Sequence, residues 1–180
     1  MRHVFLIFGL ILLTGCGISA NNAPLPSNLP LFVAENATLS NRNAQATADQ
    51  LAPDFAWRYA DGRVARLSDY VGQRVVLNFW ATWCEPCRNE MSDLDALDGY
   101  NDTRVIGINK GQQIDVIPAF AQELGVDFTL VSDPDGDVAL AYGARNLPTS
   151  VFIDRNGTIN VIHVGILSAD ALALQLERMP

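Results

Sequence analysis

From Pro53 onward the chain alternates short runs of β-forming apolar residues with stretches of helical periodicity. Phe55–Tyr59 and Val64–Leu67 flank Asp61-Gly62, which predicts a hairpin. Ser68 opens a short turn or helix. Arg74–Trp80, rich in β-formers, predicts a buried central strand, and a helix follows from Pro86 to about Leu97. Arg104–Asn109 reads as another apolar strand. Val116, Phe120 and Leu124 share one helical face, and Gly125 stops that helix. Phe128–Val131 predicts a short strand and Asp137–Tyr142 a short helix. Thr149–Asp154 and Thr158–Val164 flank Asn156-Gly157, a second hairpin. Ala169–Met179 closes the chain as an amphipathic helix. The pattern predicts an α/β domain with a central mixed β-sheet flanked by helices and an N-terminal β-hairpin. There are no internal repeats.

Upstream of this domain the pattern is different. Arg2 precedes an apolar run, Val4–Leu13, too short for a membrane span, which needs about 20 apolar residues. Leu13-Thr14-Gly15-Cys16 follows directly and resembles the lipobox of bacterial lipoproteins. In that family the cysteine is acylated and the signal is cut just before it, which implies lipidation of Cys16. An ordinary secretory signal cut after Ser19-Ala20 is the plainer alternative. Gly17 to Gln50 is rich in Asn, Ala, Ser, Thr and Pro, with no sustained period, and reads as a tether. The expected organisation is therefore a signal peptide over 1–15, a lipidated cysteine and flexible tether over 16–50, and the domain over 51–180. Leu29–Val33 is the one apolar patch in the tether.

The net charge is −8, and Lys110 is the only lysine, which excludes the clustered positive charge that nucleic-acid binding needs. Three cysteines are an odd count for an exported protein. With Cys16 lipidated, Cys84 and Cys87 remain as one even pair.

That pair lies in Trp83-Cys84-Glu85-Pro86-Cys87, between the predicted buried strand and a helix. Cysteines three apart on a first helical turn are within reach of disulfide geometry. The helix N-terminus stabilises a thiolate on the first of them. Cys84 is expected to be the exposed attacking nucleophile and Cys87 the resolving thiol. Pro86 suits a first turn, because the N–H it lacks would be unpaired there anyway. An inert disulfide or half of a zinc site uses the same spacing; the strand–helix context favours redox chemistry.

The segment Val76–Met91, with Cys84-Glu85-Pro86-Cys87 inside it, resembles the thioredoxin superfamily, and more closely its membrane-tethered TlpA/ResA branch. Ala52-Pro53-Asp54-Phe55, Ser132–Gly136, Leu147-Pro148-Thr149 and Val151–Asp154 are similar to the same branch, so the likeness spans about Ala52 to Met179. It implies a thioredoxin fold and a protein-disulfide oxidoreductase of exported proteins, often on the apocytochrome c maturation route. A redox-active Cys84–Cys87 disulfide would serve in place of any diffusible cofactor. Electrons would come from a membrane thiol donor, and the lipid would hold the protein outside the cytoplasm on the bacterial cell membrane or outer membrane, facing the periplasm where there is one. The resemblance also implies a cis bond before Pro148, turning the backbone of Leu147 toward the disulfide, where a substrate strand can pair. Trp83, Glu85, Pro86, Leu147 and Thr149 would line the substrate site.

Glu90 stands one turn beyond Cys87, where the ResA-like group carries an acid near the resolving thiol that can accept its proton. A solvated helix glutamate is the alternative. Glu85 and Glu90 both disfavour a nearby thiolate and should make the pair more reducing. The chain departs from the pattern twice. Asn78 replaces the buried acid of thioredoxin, so that proton relay is absent, and Ser92 replaces a proline frequent in the branch. Trp80 is expected in the core.

Weaker signals point elsewhere. Asp133-Pro134-Asp135-Gly136-Asp137 invites a calcium reading, but its glycine is out of EF-hand register and a turn with a helix cap fits better. His163 could join the cysteines on copper, which gives a metallochaperone as the rival from another class. The CxxxC spacing of copper chaperones is missing, and zinc wants four ligands. No metal site is expected. A peroxiredoxin-like antioxidant role is disfavoured because Thr82 precedes Cys84 by two residues rather than three.

Overall fold

The computed structural model describes residues 33–179. Cys16, the signal peptide and most of the expected tether lie outside the described residues. The architecture is one sheet of eight strands covered by helices on both faces. Along the chain the strands are β1 (Val33–Leu39), β2 (Phe55–Tyr59), β3 (Val64–Arg66), β4 (Arg74–Trp80), β5 (Thr103–Lys110), β6 (Thr129–Asp133), β7 (Thr149–Ile153) and β8 (Ile159–Val164). The helices are α1 (Glu85–Leu97), α2 (Val116–Leu124), α3 (Asp137–Ala141) and α4 (Ala169–Glu177). The spatial order is β3-β2-β1-β6-β5-β4-β7-β8.

β1, β6, β5 and β4 run parallel, and β2, β3, β7 and β8 join by antiparallel pairs. The central strands are buried on both faces, which is why β4 reads as a near-continuous apolar run after Arg74, interrupted only by Asn78, rather than an alternation. One face packs Met91, Leu94, Ile117, Phe120, Leu172 and Leu176 from α1, α2 and α4 against Val76, Trp80 and Val105. The other packs Phe55 and Trp57 of the hairpin, with Val138 and Tyr142, against Leu77, Phe79 and Ile106. Trp80 is wholly buried and stacks on Phe120 with centroids 4.4 Å apart, as expected of a core tryptophan.

Both expected hairpins form, and Gly62 and Gly157 take the positive φ that their turns require. The 133–137 acidic run is a cap: the Asp133 carboxylate accepts from the backbone N–H of Val138 and Ala139 at the start of α3. α1 runs unbroken through Ser92.

One boundary needs correction. The expected tether reached Gln50, but Val33–Leu39 is a strand inside the sheet, paired with β2 on one side and β6 on the other. Its inward contributions include Ala34, wholly buried, and the half-buried Ala37 and Leu39. Such small side chains leave little hydrophobic signal, and the strand is held by backbone pairing. No helix among the described residues is long and apolar enough to cross a membrane.

Candidate active site

The carboxyl ends of β4, β5 and β6 point to one edge of the sheet, and the cysteine loop, the β5–α2 turn and the loop before β7 gather there. Cys84 is the N-cap of α1: its backbone is extended, its Sγ accepts from the Cys87 N–H at 3.3 Å, and its carbonyl receives the Arg88 N–H. Pro86 sits in the first turn, as its missing donor allows. Cys87, Glu90, Met91, Leu94 and Leu97 then fall on one buried stripe at helical spacing. Cys84 and Cys87 form a disulfide with Cα atoms 5.3 Å apart.

The expected exposure of Cys84 is corrected. It is only 5% exposed, and Cys87 not at all, because both belong to the core cluster between α1 and the sheet. Cys84 is still the more accessible of the two. The open surface beside it is Trp83, which is 72% exposed, with Glu85 and Pro86 also exposed.

The Leu147–Pro148 bond is cis. Leu147 is half-buried and Pro148 buried. The Pro148 carbonyl accepts from the N–H of Gly165 at 2.9 Å, which ties this loop to the segment between β8 and α4. Thr149 does not face a substrate, contrary to expectation: it is wholly buried, and its hydroxyl donates to the Asn146 carbonyl at 2.8 Å, closing the loop from inside.

Glu90 is a buried acid, not a solvated one. Only 1% of it is exposed. Oε1 accepts from Asn78 Nδ2 at 2.7 Å and Oε2 from the Leu167 N–H at 3.1 Å. Burial pushes its pKa above the usual carboxylate range; the two hydrogen bonds oppose the shift and Asp93 adds to it. Asn78 on β4 thus holds an acid carried by α1. The same Asn78 amide also reaches Ser150 Oγ at 3.1 Å.

His163 lies half-buried on the edge strand β8, opposite Ser150, and is not gathered into the cysteine site by any hydrogen bond. No group of three or more His, Cys, Asp or Glu side chains able to hold a metal occurs among the described residues.

Two site residues escaped the sequence reading. Gln112 in the β5–α2 turn pairs with both the N–H and the hydroxyl of Thr82, and the Lys110 ammonium reaches the carbonyls of Ala144 and Arg145. Nothing in the local pattern marks them, since their partners lie 30 or more residues away.

A disulfide at the start of a helix, following a central strand of a thioredoxin-like sheet, with the Leu147 of a cis-proline loop packed on the same core cluster, defines a thioredoxin-fold thiol–disulfide oxidoreductase. The chain belongs to the AhpC/TSA family, which matches residues 48–162, and within the thioredoxin superfamily it is ResA-like. It is 36% identical over 129 residues to the thiol-disulfide oxidoreductase ResA of Geobacillus thermodenitrificans, covering 70% of this chain and 74% of that protein. The thioredoxin-like protein YneN of Bacillus subtilis is 33% identical over 147 residues, 78% of this chain and 85% of that one. Among solved structures, the exposed lipoprotein thioredoxin of Streptococcus pneumoniae superposes with a TM-score of 0.60 at 32% identity, covering 70% of this chain and 99% of that chain.

Proposed function

We propose that this chain is an extracytoplasmic, membrane-anchored reductant of disulfides in exported proteins, with apocytochrome c the substrate that its resemblance to the TlpA/ResA branch implies. The observation that carries the direction is the buried carboxylate of Glu90, one turn along α1 from Cys87. An ionised carboxylate there disfavours a thiolate, which destabilises the reduced pair and makes it a better electron donor.

In the forward cycle the Cys84 thiolate attacks a substrate disulfide. A mixed disulfide forms and one substrate sulfur leaves as thiolate. Cys87 loses its proton to the Glu90 carboxylate and attacks Cys84 Sγ, which releases the second substrate sulfur. Two electrons have passed to the substrate, and the enzyme is left with the Cys84–Cys87 disulfide. A membrane thiol donor would restore the dithiol.

Anchoring through Cys16 is supported by its lipobox-like setting and by the similarity to the pneumococcal thioredoxin, an exposed lipoprotein. The deciding experiment is the equilibrium potential of Cys84–Cys87 against glutathione. A value nearer that of thioredoxin, roughly −270 mV, supports a reductant, and one near DsbA, roughly −120 mV, refutes it. Fractionation of the full chain and of Cys16→Ala tests the anchor: the wild type should follow the membrane and the variant should not.

A further inference from the structure

We infer that Lys110 and Gln112 are positioning residues, which clasp the cis-proline loop and the cysteine loop from the end of β5 and the turn after it and set the register between them for a polypeptide substrate.

Gln112 grips the cysteine loop two residues before Cys84. Its Oε1 accepts from the Thr82 N–H at 2.8 Å and its Nε2 donates to Thr82 Oγ1 at 2.8 Å, a two-point contact between one side-chain amide and one residue. Oε1 also takes the Asn109 Nδ2 at 3.1 Å, and the Gln112 carbonyl receives the Ser132 hydroxyl at 3.0 Å, so side chain and backbone are both fixed to the sheet. The Gly111 N–H donates to the Asp133 carbonyl at 2.8 Å, which seats the turn on β6.

Lys110 grips the other loop. Its Nζ donates to the carbonyls of Ala144 at 2.8 Å and Arg145 at 3.2 Å, just before Leu147. The only lysine of the chain is thus spent on backbone carbonyls. Lys110 ends β5 and Gln112 lies two residues on in the following turn, so one short segment tied to the sheet holds both loops.

The consequence rests on Leu147 offering its backbone to a substrate strand while Cys84 takes the substrate sulfur. Such a substrate is held at two points, and its sulfur arrives in line only if those points keep their separation. A small disulfide touches Cys84 alone and is indifferent to that separation. Neither side chain touches a reacting atom. The effect requires only disulfide exchange with a polypeptide, whichever way electrons run in the cell.

The test uses reduced protein, with Lys110→Met and Gln112→Ala as truncations, and as conservative partners Lys110→Arg, which keeps a cationic donor, and Gln112→Glu, whose carboxylate accepts from the Thr82 N–H and from a Thr82 hydroxyl turned to donate. The readout is kcat/KM on a disulfide peptide with extended backbone around its cysteine, divided by kcat/KM on 2-hydroxyethyl disulfide. That ratio should fall about tenfold or more in the truncations, since ~1 Å of misplacement can cost ~10²-fold, and should recover in the conservative variants. An unchanged ratio, including a parallel fall of both rates, overturns the inference, and so does a fall that the conservative variants fail to rescue. Should a truncation not fold, Thr82→Val removes the hydroxyl end of the Gln112 clasp at constant shape and carries the same expectation. A wild type with no preference for the peptide would instead refute two-point docking itself, which separates that failure from failure of the clasp.

Discussion

Asn78 Nδ2 donates to Glu90 Oε1 at 2.7 Å, joining the central strand to the helix of the cysteines through two side chains that are both buried. In water such a pair would be worth little. Here the carboxylate has traded its hydration for two donors, Asn78 and the Leu167 N–H, and both bonds are stronger to the ionised acid than to the protonated one.

Glu90 makes stability depend on pH in a definite sense. Its folded pKa lies above its unfolded value, so the native state keeps a proton that the unfolded chain releases. Its contribution is complete below the unfolded pKa, roughly 4.3, and is lost as pH rises through the folded value, at up to about 1.4 kcal/mol per pH unit between them. Glu90→Gln should remove that slope. Urea unfolding of the oxidised protein across this range checks it: the difference between the two stability curves should grow with pH, and parallel curves would rule it out.

Asn78→Asp should cost about 3 kcal/mol at neutral pH, because it replaces a donor with a second buried carboxylate facing Glu90. The cost should shrink in acid, where one proton can bridge the two. Thermal unfolding at neutral and mildly acidic pH measures both effects, and a loss independent of pH would point to packing instead.

Cys87→Ser should trap mixed disulfides through Cys84, whereas Cys84→Ser should trap few. Cys84 caps the helix and keeps some exposure, while Cys87 is fully enclosed. Non-reducing gels of each variant incubated with a disulfide-bonded protein decide this, and equal trapping would contradict the assignment.

Gly107→Ala should destabilise the domain by about 1–3 kcal/mol through overpacking. A Cβ there would stand 2.8 Å from Leu130 Cδ2, 2.9 Å from Trp80 Nε1 and 3.0 Å from Phe128 Cε2, in a strand interior with no room to yield. A denaturation midpoint equal to wild type would mean that Trp80 can move without cost.

Much of the fold was legible because its signals are local. The apolar run of β4, the Gly125 stop after α2, and the Asp61-Gly62 and Asn156-Gly157 turns each depend on neighbours within a few residues. The cysteine pair was legible for the same reason: spacing and helix start lie in one stretch of chain. β1 was not, because Ala34 and Ala37 carry almost no hydrophobic pattern and pairing to β2 and β6 is made by backbone groups that every sequence possesses.

The chain by itself determined which residues could exchange electrons, since only Cys84 and Cys87 are spaced for it within the domain. Tertiary structure decided what surrounds them. Glu90 could have been a solvated helix residue; its burial depends on Asn78, 12 positions earlier, and on Leu167, 77 positions later. Gln112 and Lys110 become site residues only when the parallel pairing of β4, β5 and β6 brings their turn beside loops that are 30 or more residues distant. Periodicity and spacing report the local preferences of the backbone, whereas a hydrogen bond across the sheet exists only after the strands have chosen their neighbours.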